Sequence, residues 1–351
     1  MKFDRQLLCG VVVACMVGLS PAVRAHNASL VAYDAPGADG QTFGLGINNS
    51  GIATGYFVDV VGNYHGFIRT ADGTFTVIDV QPNIPLTISQ DINDLGAVTG
   101  SWYDANYVQH GFTRDPEGNI TAFDAKKAAR TSGRSINSKG DITGGYTDQS
   151  GVAHGLLRKT NGHIISVTIT GAPITFGGTI NDKEEIAGSY YDSNMTLHGY
   201  IRLADGTITQ FDAPGAGSGP NQGTFLSGIN AKGAIVGYFY DANNVRHGIL
   251  RAPNGNVTQI DVTGAGTQSG QGTGADGINK SGEIVGSYAD ANNVVHGFVR
   301  SKSGAIMTFD APGAGTAAYT GTYPYEVNDS GIISGNTTDN SLNEHGFIGT
   351  P

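Results

Sequence analysis

Sulfur is almost missing from this chain. Its two cysteines, Cys9 and Cys15, both fall in the first fifteen residues, so everything downstream has neither a thiol nor a disulfide. That excludes cysteine nucleophiles, thiolate metal sites and covalent staples, and leaves stability to a sizeable core. Long apolar runs are missing too. The only one, residues 7–19, falls short of the ~20 residues a membrane span needs. It follows Lys2 and Arg5 and precedes Pro21 and the small-residue ending Val23-Arg24-Ala25. These features predict a secretory signal peptide over residues 1–25, no transmembrane segment, and a secreted product, extracellular or periplasmic. The alternative is a lipid anchor on Cys15: Val12-Val13-Ala14-Cys15 has the rough form of an attachment box, although the apolar run continues past it.

Charge is scarce and one-sided. Charged residues make up 14% of the chain, with 30 acids against 20 bases. Loss of the leader would move the net charge from −10 to −12. Such a protein repels phosphate backbones and anionic lipid, so nucleic acid is not an expected partner. Several catalytic signatures are absent as well: no HExxH zinc helix, no serine-nucleophile elbow, no phosphate-binding glycine loop opening a helix. No cofactor is expected.

What is present is repetition. Asparagines 48, 93, 137, 181, 230, 279 and 328 each close an Ile-Asn or Val-Asn pair, and a His-Gly pair begins 17 residues later every time. One unit reads as four strands: TFLSGIN, AIVGYFYD, HGILR and NVTQID. Asn-x-x-Gly turns in six copies, with Glu184 in place of glycine in the fourth, and glycine turns such as Pro253-Asn254-Gly255 mark the reversals, so the abundant glycine reads as tight turns and not disorder. The second strand always carries a glycine (55, 100, 144, 188, 237, 286, 335), implying close approach of a neighbouring sheet. An aromatic residue stands two places on in six of the copies; among these Trp102, the only tryptophan, reads as core.

Four-stranded repeats of 44–49 residues have the size of β-propeller blades. The last copy lacks its fourth strand, while SLVAYDAPGADG near the start matches MTFDAPGAGT at 307–316. The expected fold is therefore all-β: a seven-bladed β-propeller of four-stranded blades, one monomeric domain over 26–351, closed by the N-terminal strand completing the last blade. The unit GIN-x-x-G…G-x-x-x-D…HGF resembles the bacterial extracellular HAF-type repeat family, with His-Gly-Phe in place of His-Ala-Phe. The resemblance covers residues 29–349. It implies a secreted propeller-like repeat protein and carries over no activity and no functional residues.

The most conspicuous chemistry is an aspartate six residues before each histidine: Asp59/His65, Asp104/His110, Asp148/His154, Asp192/His198, Asp241/His247, Asp290/His296 and Asp339/His345. Seven copies of one pair point to scaffolding, each carboxylate bonding its imidazole across a hairpin mouth. Histidines on an outer ring, roughly 10 Å beyond the inner strands, cannot converge on one metal. Fourth-strand aspartates (34, 79, 124, 212, 261, 310, with Thr168 the exception) are expected to accept turn N–H groups. Calcium is the sharper alternative for these loops, but the alternating acids of a calcium loop are missing.

Function is sought where the copies differ. The connections from fourth strand to next asparagine span 14, 14, 13 and 13 residues, then 18 three times over. Three long loops would raise a wall along one face. Their polar and aromatic residues, Asn221, Gln222, Phe225, Gln268, Gln271, Asp276, Tyr319, Tyr323, Tyr325 and Glu326, are the ligand-binding candidates. Tyrosine with amides suits a glycan, another extracellular polymer or a protein. The leading expectation is a secreted non-enzymatic binding or surface protein. The alternatives are a hydrolase or lyase at the channel mouth, with Glu326 and Asp276 as acid–base candidates, and a purely structural envelope protein.

Overall fold

The computed structural model describes residues 29–351. The signal-peptide and Cys15 readings lie outside them. Among the described residues there are 29 strands and no helix, and no helix is long and apolar enough to cross a membrane.

The unit read from sequence is the unit of pairing. In the copy beginning at Gly223, strands Gly223–Ile229, Ile235–Tyr240, Arg246–Arg251 and Val257–Ile260 pair in chain order, each antiparallel to the next. Its first turn is held by one side chain: Asn230 Oδ1 accepts the N–H groups of Lys232 and Ala234, both at 3.0 Å. In the fourth copy the first strand is split into Ile174–Thr175 and Thr179–Ile180. At the other end, Val31–Tyr33 pairs antiparallel with Glu344–Gly349, placing Val31 opposite Ile348. The N-terminal segment thus supplies the outer strand to the last hairpin, as the sequence match predicts.

Successive units are joined by three devices. First, apolar side chains of adjacent units interleave: Ala187 and Ile201 of one pack with Leu226, Ile235 and Phe239 of the next. Second, a buried threonine six places before each asparagine accepts the N–H of the residue just beyond the preceding fourth strand or next to it. Thr224 Oγ1 takes Ala213 N–H at 2.9 Å, and Thr42 takes Ala35 N–H at 3.1 Å. This repeat is plain in the sequence once its role is known. Third, the turn asparagines form a ring. Each Nδ2 donates to the next asparagine's carbonyl, from Asn48 to Asn93 at 3.1 Å and on round to Asn328, whose amide returns to Asn48 at 3.0 Å.

The second-strand glycines have a different cause from the one expected. A Cβ on Gly55 would sit 1.9 Å from Phe43 O, and on Gly237 2.1 Å from Phe225 O. In six copies the obstruction is the carbonyl of the unit's own first strand, where that strand bulges, and at Gly188 it is the Tyr200 ring of the same unit's third strand. Trp102 is 8% exposed and stacks on His110 at 4.7 Å, a core residue as read.

Candidate functional site

At one end of the strands stand the Asp–His hairpins. Each aspartate holds its own loop: Asp241 Oδ1 accepts Asn243 N–H and Val245 N–H, both at 2.8 Å. These bonds pull the carboxylates down; at Asp59 partial burial opposes them, and bonds from Asn63, His65 and Val61 prevail to leave a pKa of about 2. The geometry matches the asparagine turns at the other end of the strands. The amide there has an N–H to reach its neighbour, whereas the carboxylate has none and turns to the histidine.

The histidine's nearer partner is not the one expected. His247 Nδ1 lies 2.8 Å from fourth-strand Asp261, while its Nε2 is 3.7 Å from hairpin Asp241. The same order holds for His110, His198, His296 and His345, whose Nδ1 partners Asp124, Asp212, Asp310 and Asp34 stand at 2.8–2.9 Å. Their hairpin partners Asp104, Asp192, Asp290 and Asp339 stand at 3.6–3.9 Å. Only His65 and His154 also hydrogen-bond the hairpin acid, Asp59 at 3.3 Å and Asp148 at 3.1 Å. The fourth-strand aspartates therefore serve histidine rather than turn N–H groups. Each imidazole except that of His345 also stacks on its second-strand aromatic, at 4.7–5.0 Å. Among the described residues no group of three or more metal-ligating side chains converges.

The long connections do not stand up as a wall. They lie back on the preceding hairpin: Asn221 N–H donates to Met195 O at 2.8 Å, Gly270 to Asn244 at 2.9 Å, Tyr319 to Asn293 at 2.7 Å. Gln222 Oε1 accepts Gly219 N–H while its Nε2 donates to Ala242 O. Gln271, 3% exposed, does the same with Gln268 N–H and Ala291 O. Both glutamines are loop braces, and Gln271 has no polar atom left for a ligand. Asn221, Gln268 and Tyr319 do reach solvent. Tyr319 is 72% exposed and adopts a left-handed backbone (φ 66°), an uncommon state for a bulky residue.

The other candidates, Phe225, Asp276, Tyr323, Tyr325 and Glu326, belong to first strands and not to loops. First strands surround a central channel, because one cavity of about 440 Å3 is walled by residues of all the repeats, from Leu45 to Val327. In six of them the register slips by one residue three places before the asparagine, passing over Leu45, Gln90, Arg134, Ser227, Asp276 and Tyr325. All six line that channel. A bulge re-aims the extra residue, and here it places an unrepeated side chain in the lumen. Sequence reasoning passed over Gln90, Asp91 and Arg134; the signal was a position that never repeats inside a strand that otherwise does.

The channel acids are unlike the hairpin acids. Burial pushes Asp276 up to about 6 against the pull of Arg246, and pushes Asp91 up to about 6 against bonds from Ile136 N–H and Ile92 N–H. Glu326 is driven well above the usual carboxylate range by burial and by the charge of Asp91, although Ile47 N–H donates to it at 3.0 Å. Glu326 and Asp276 share the cavity wall, but their charged neighbours differ: Asp91 and Arg134 for one, Arg246 for the other. On the loop side a second hollow of about 440 Å3 shares Phe225 and Tyr238 with the channel wall. Phe176, Tyr191, Phe225, Tyr238 and Tyr240 wall it, with Asn221 and Asn244 beside them. Phe225 and Tyr238 stack at 5.2 Å and Arg246 covers Tyr238 at 5.5 Å.

No family model matches the chain, and no curated protein matches it. Solved structures do resemble it. Virginiamycin B lyase from Staphylococcus aureus superposes with a TM-score of 0.57 at 13% identity, over 92% of this chain and 99% of that one. The β-propeller domain of the Trilobed protease from Pyrococcus furiosus gives 0.58 at 10% identity, over 88% and 95%. Puromycin hydrolase gives 0.57 at 10% identity, over 88% of this chain and 52% of that one. At these identities the fold alone is shared. The chain folds as a β-propeller.

Proposed function

We propose that this is a secreted, non-enzymatic binding protein whose ligand is an extracellular glycan held at the loop-side mouth of the channel. On this reading residues 26–351 form one monomeric domain of seven four-stranded blades, of the HAF repeat type, after removal of the leader. Support for the blade count comes from the asparagine ring and from the pairing of Val31–Tyr33 with Glu344–Gly349.

One observation carries the binding reading: five aromatic rings and two asparagines gathered round a single hollow at the channel mouth. Flat apolar faces with amide donors and acceptors between them match the alternating CH faces and hydroxyl edges of a sugar. Strands hold most of these rings, so the site needs little ordering on binding. The test is calorimetric titration with a panel of extracellular and cell-wall oligosaccharides against the native protein and Tyr240→Ala. The expected result is a ligand whose affinity falls at least tenfold in the variant. Binding unaltered by Tyr240→Ala would move the site elsewhere, and no binding across the panel would end the reading.

A second reading, a hydrolase or lyase at the same mouth, is favoured by the raised pKa of Asp276, which keeps part of its population protonated near pH 6. Turnover that survives Asp276→Asn combined with Glu326→Gln would end it.

A further inference from the structure

Positive charge is not shared evenly among the units. The strand Ala128–Ile136 and the connection leading into it carry Lys126, Lys127, Arg130 and Arg134, four of the chain's 20 basic residues. Arg130 and Ser132 alternate along one side of that strand, and the bulge at Arg134 aims its side chain at the same hollow and at the channel. All three line a cavity of about 390 Å3, with Tyr146, His154 and Phe176 also on its wall. No aspartate or glutamate lines it, in a chain where acids outnumber bases by half. Both arginine side chains are exposed to the hollow, and among the described residues neither guanidinium makes a hydrogen bond or an ion pair.

Two departures from the repeat meet at this cavity, and a third stands at the head of the strand that walls it. His154 is the histidine whose fourth-strand aspartate is replaced, by Thr168 at 3.1 Å, so a negative charge present in the other copies is missing beside the hollow. Gly145 follows the invariant second-strand glycine where the other copies carry tyrosine, serine or asparagine. A Cβ there would meet only ordinary contacts, His154 O at 3.5 Å and Ser132 Oγ at 3.8 Å, so packing does not require glycine and its effect is to leave space. Lys127, finally, has a left-handed backbone (φ 61°) where sister units place Gly37, Gly171, Gly215, Gly264 and Gly313. A lysine seldom adopts that conformation, and here it sets an ammonium at the head of the strand.

Resting on the glycan reading above, we infer that the ligand is an acidic saccharide, a chain of uronate residues. Its sugar rings run from the loop-side hollow over Phe176 and Phe225, which wall both cavities, to Tyr146, and its carboxylates meet Arg130 and Arg134. Guanidinium binds carboxylate through two parallel N–H bonds. Sugar rather than nucleic acid follows from the glycan reading; the acidic remainder of the surface repels either polyanion, which confines the contact to this basic strand.

The test is calorimetry with hexasaccharides of galacturonate, mannuronate and guluronate, each against its neutral hexose counterpart, with a single-stranded DNA oligomer alongside. At least one uronate should bind tenfold or more tighter than its neutral counterpart and weaken with added salt. Arg130→Gln should remove about tenfold of the uronate affinity and leave neutral chains unchanged. Gly145→Tyr, which copies sister residues Tyr56 and Tyr238, should block the hollow; if that variant fails to fold, Arg130→Gln decides. A neutral glycan that binds while no uronate is preferred overturns this inference and spares the glycan reading. DNA binding as tight as any uronate, or uronate affinity indifferent to Arg130→Gln, overturns it as well. No binding by any saccharide overturns both.

Discussion

The rim of strands and the wall of the channel follow opposite rules. On the rim, aspartate, histidine, threonine and asparagine recur in register and each recurrence has one job, such as Thr224 accepting Ala213 N–H or Asn230 bonding Asn279. On the wall, the bulge position reads Leu45, Gln90, Arg134, Ser227, Asp276 and Tyr325, with no residue repeated. Side chains repeat where one geometry must be made many times over, and diverge where a single asymmetric object must be met. The two parts also differ in electrostatics: rim carboxylates are stabilised as anions by N–H donors, and channel carboxylates are disfavoured as anions by burial.

The comparison breaks most visibly at the ring joint. Deleting residues 26–36 removes buried Tyr33 and Ala35 and leaves Glu344–Gly349 as an open edge. The expected outcome is aggregation, or a loss of at least about 4 kcal/mol in a scanning-calorimetry melt; an unaltered melt refutes the closure. Next comes Asn230→Asp. It keeps the acceptor for Lys232 and Ala234 but loses the donor to Asn279 O, which retains only Gly282 N–H and then faces a carboxylate, at a cost of about 1 kcal/mol. Denaturant titration should register that loss while ligand affinity stays within twofold.

Titration separates the two acid populations. Hairpin aspartates have folded pKa values below the unfolded ones, so their contribution is present above about pH 4 and is lost as pH falls towards about 2, the value at Asp59. Asp276 runs the other way: its folded pKa is raised to about 6, so its ionisation opposes folding above that pH and the penalty fades as pH falls towards 4. Asp276→Asn should therefore raise stability at pH 7 by roughly 1 kcal/mol, discounted for solvent in the channel. It should also flatten the Tm profile between pH 4 and 6. A profile with the native slope in the variant would assign that slope to another group. The smallest effect belongs to the loops. Tyr319→Gly relieves a left-handed backbone and should stabilise by about 0.5–1 kcal/mol, and any fall in glycan affinity would mark Tyr319 as a contact.

The rim was the legible part. Strand order, the turn at each asparagine, the core place of Trp102 and the pairing of the N-terminal strand with Glu344–Gly349 all follow from period, turn chemistry and spacing. Partners separated by a strand were harder. His247 could be matched to Asp241 across one hairpin, but Asp261 sits beside it only because the third and fourth strands pair, and spacing alone does not rank two acids. Loop length misled for a related reason: an 18-residue connection that bonds back onto its neighbour looks the same in sequence as one that projects. The channel wall was least legible, since a bulge is invisible until the register of Gly133 and Ser135 against their partner strand is known.

The asparagine ring has a mechanical consequence. Its bonds all run in one rotational sense and close on themselves, so it acts as a hoop. Widening the channel at that end stretches every member together, and no bond can open first at a free end. The hoop fixes the bore there, while the far mouth is bordered by connections of unequal length. One opening is a gauge of constant diameter and the other an adjustable collar, which leaves the collar as the side where shape can yield to a ligand.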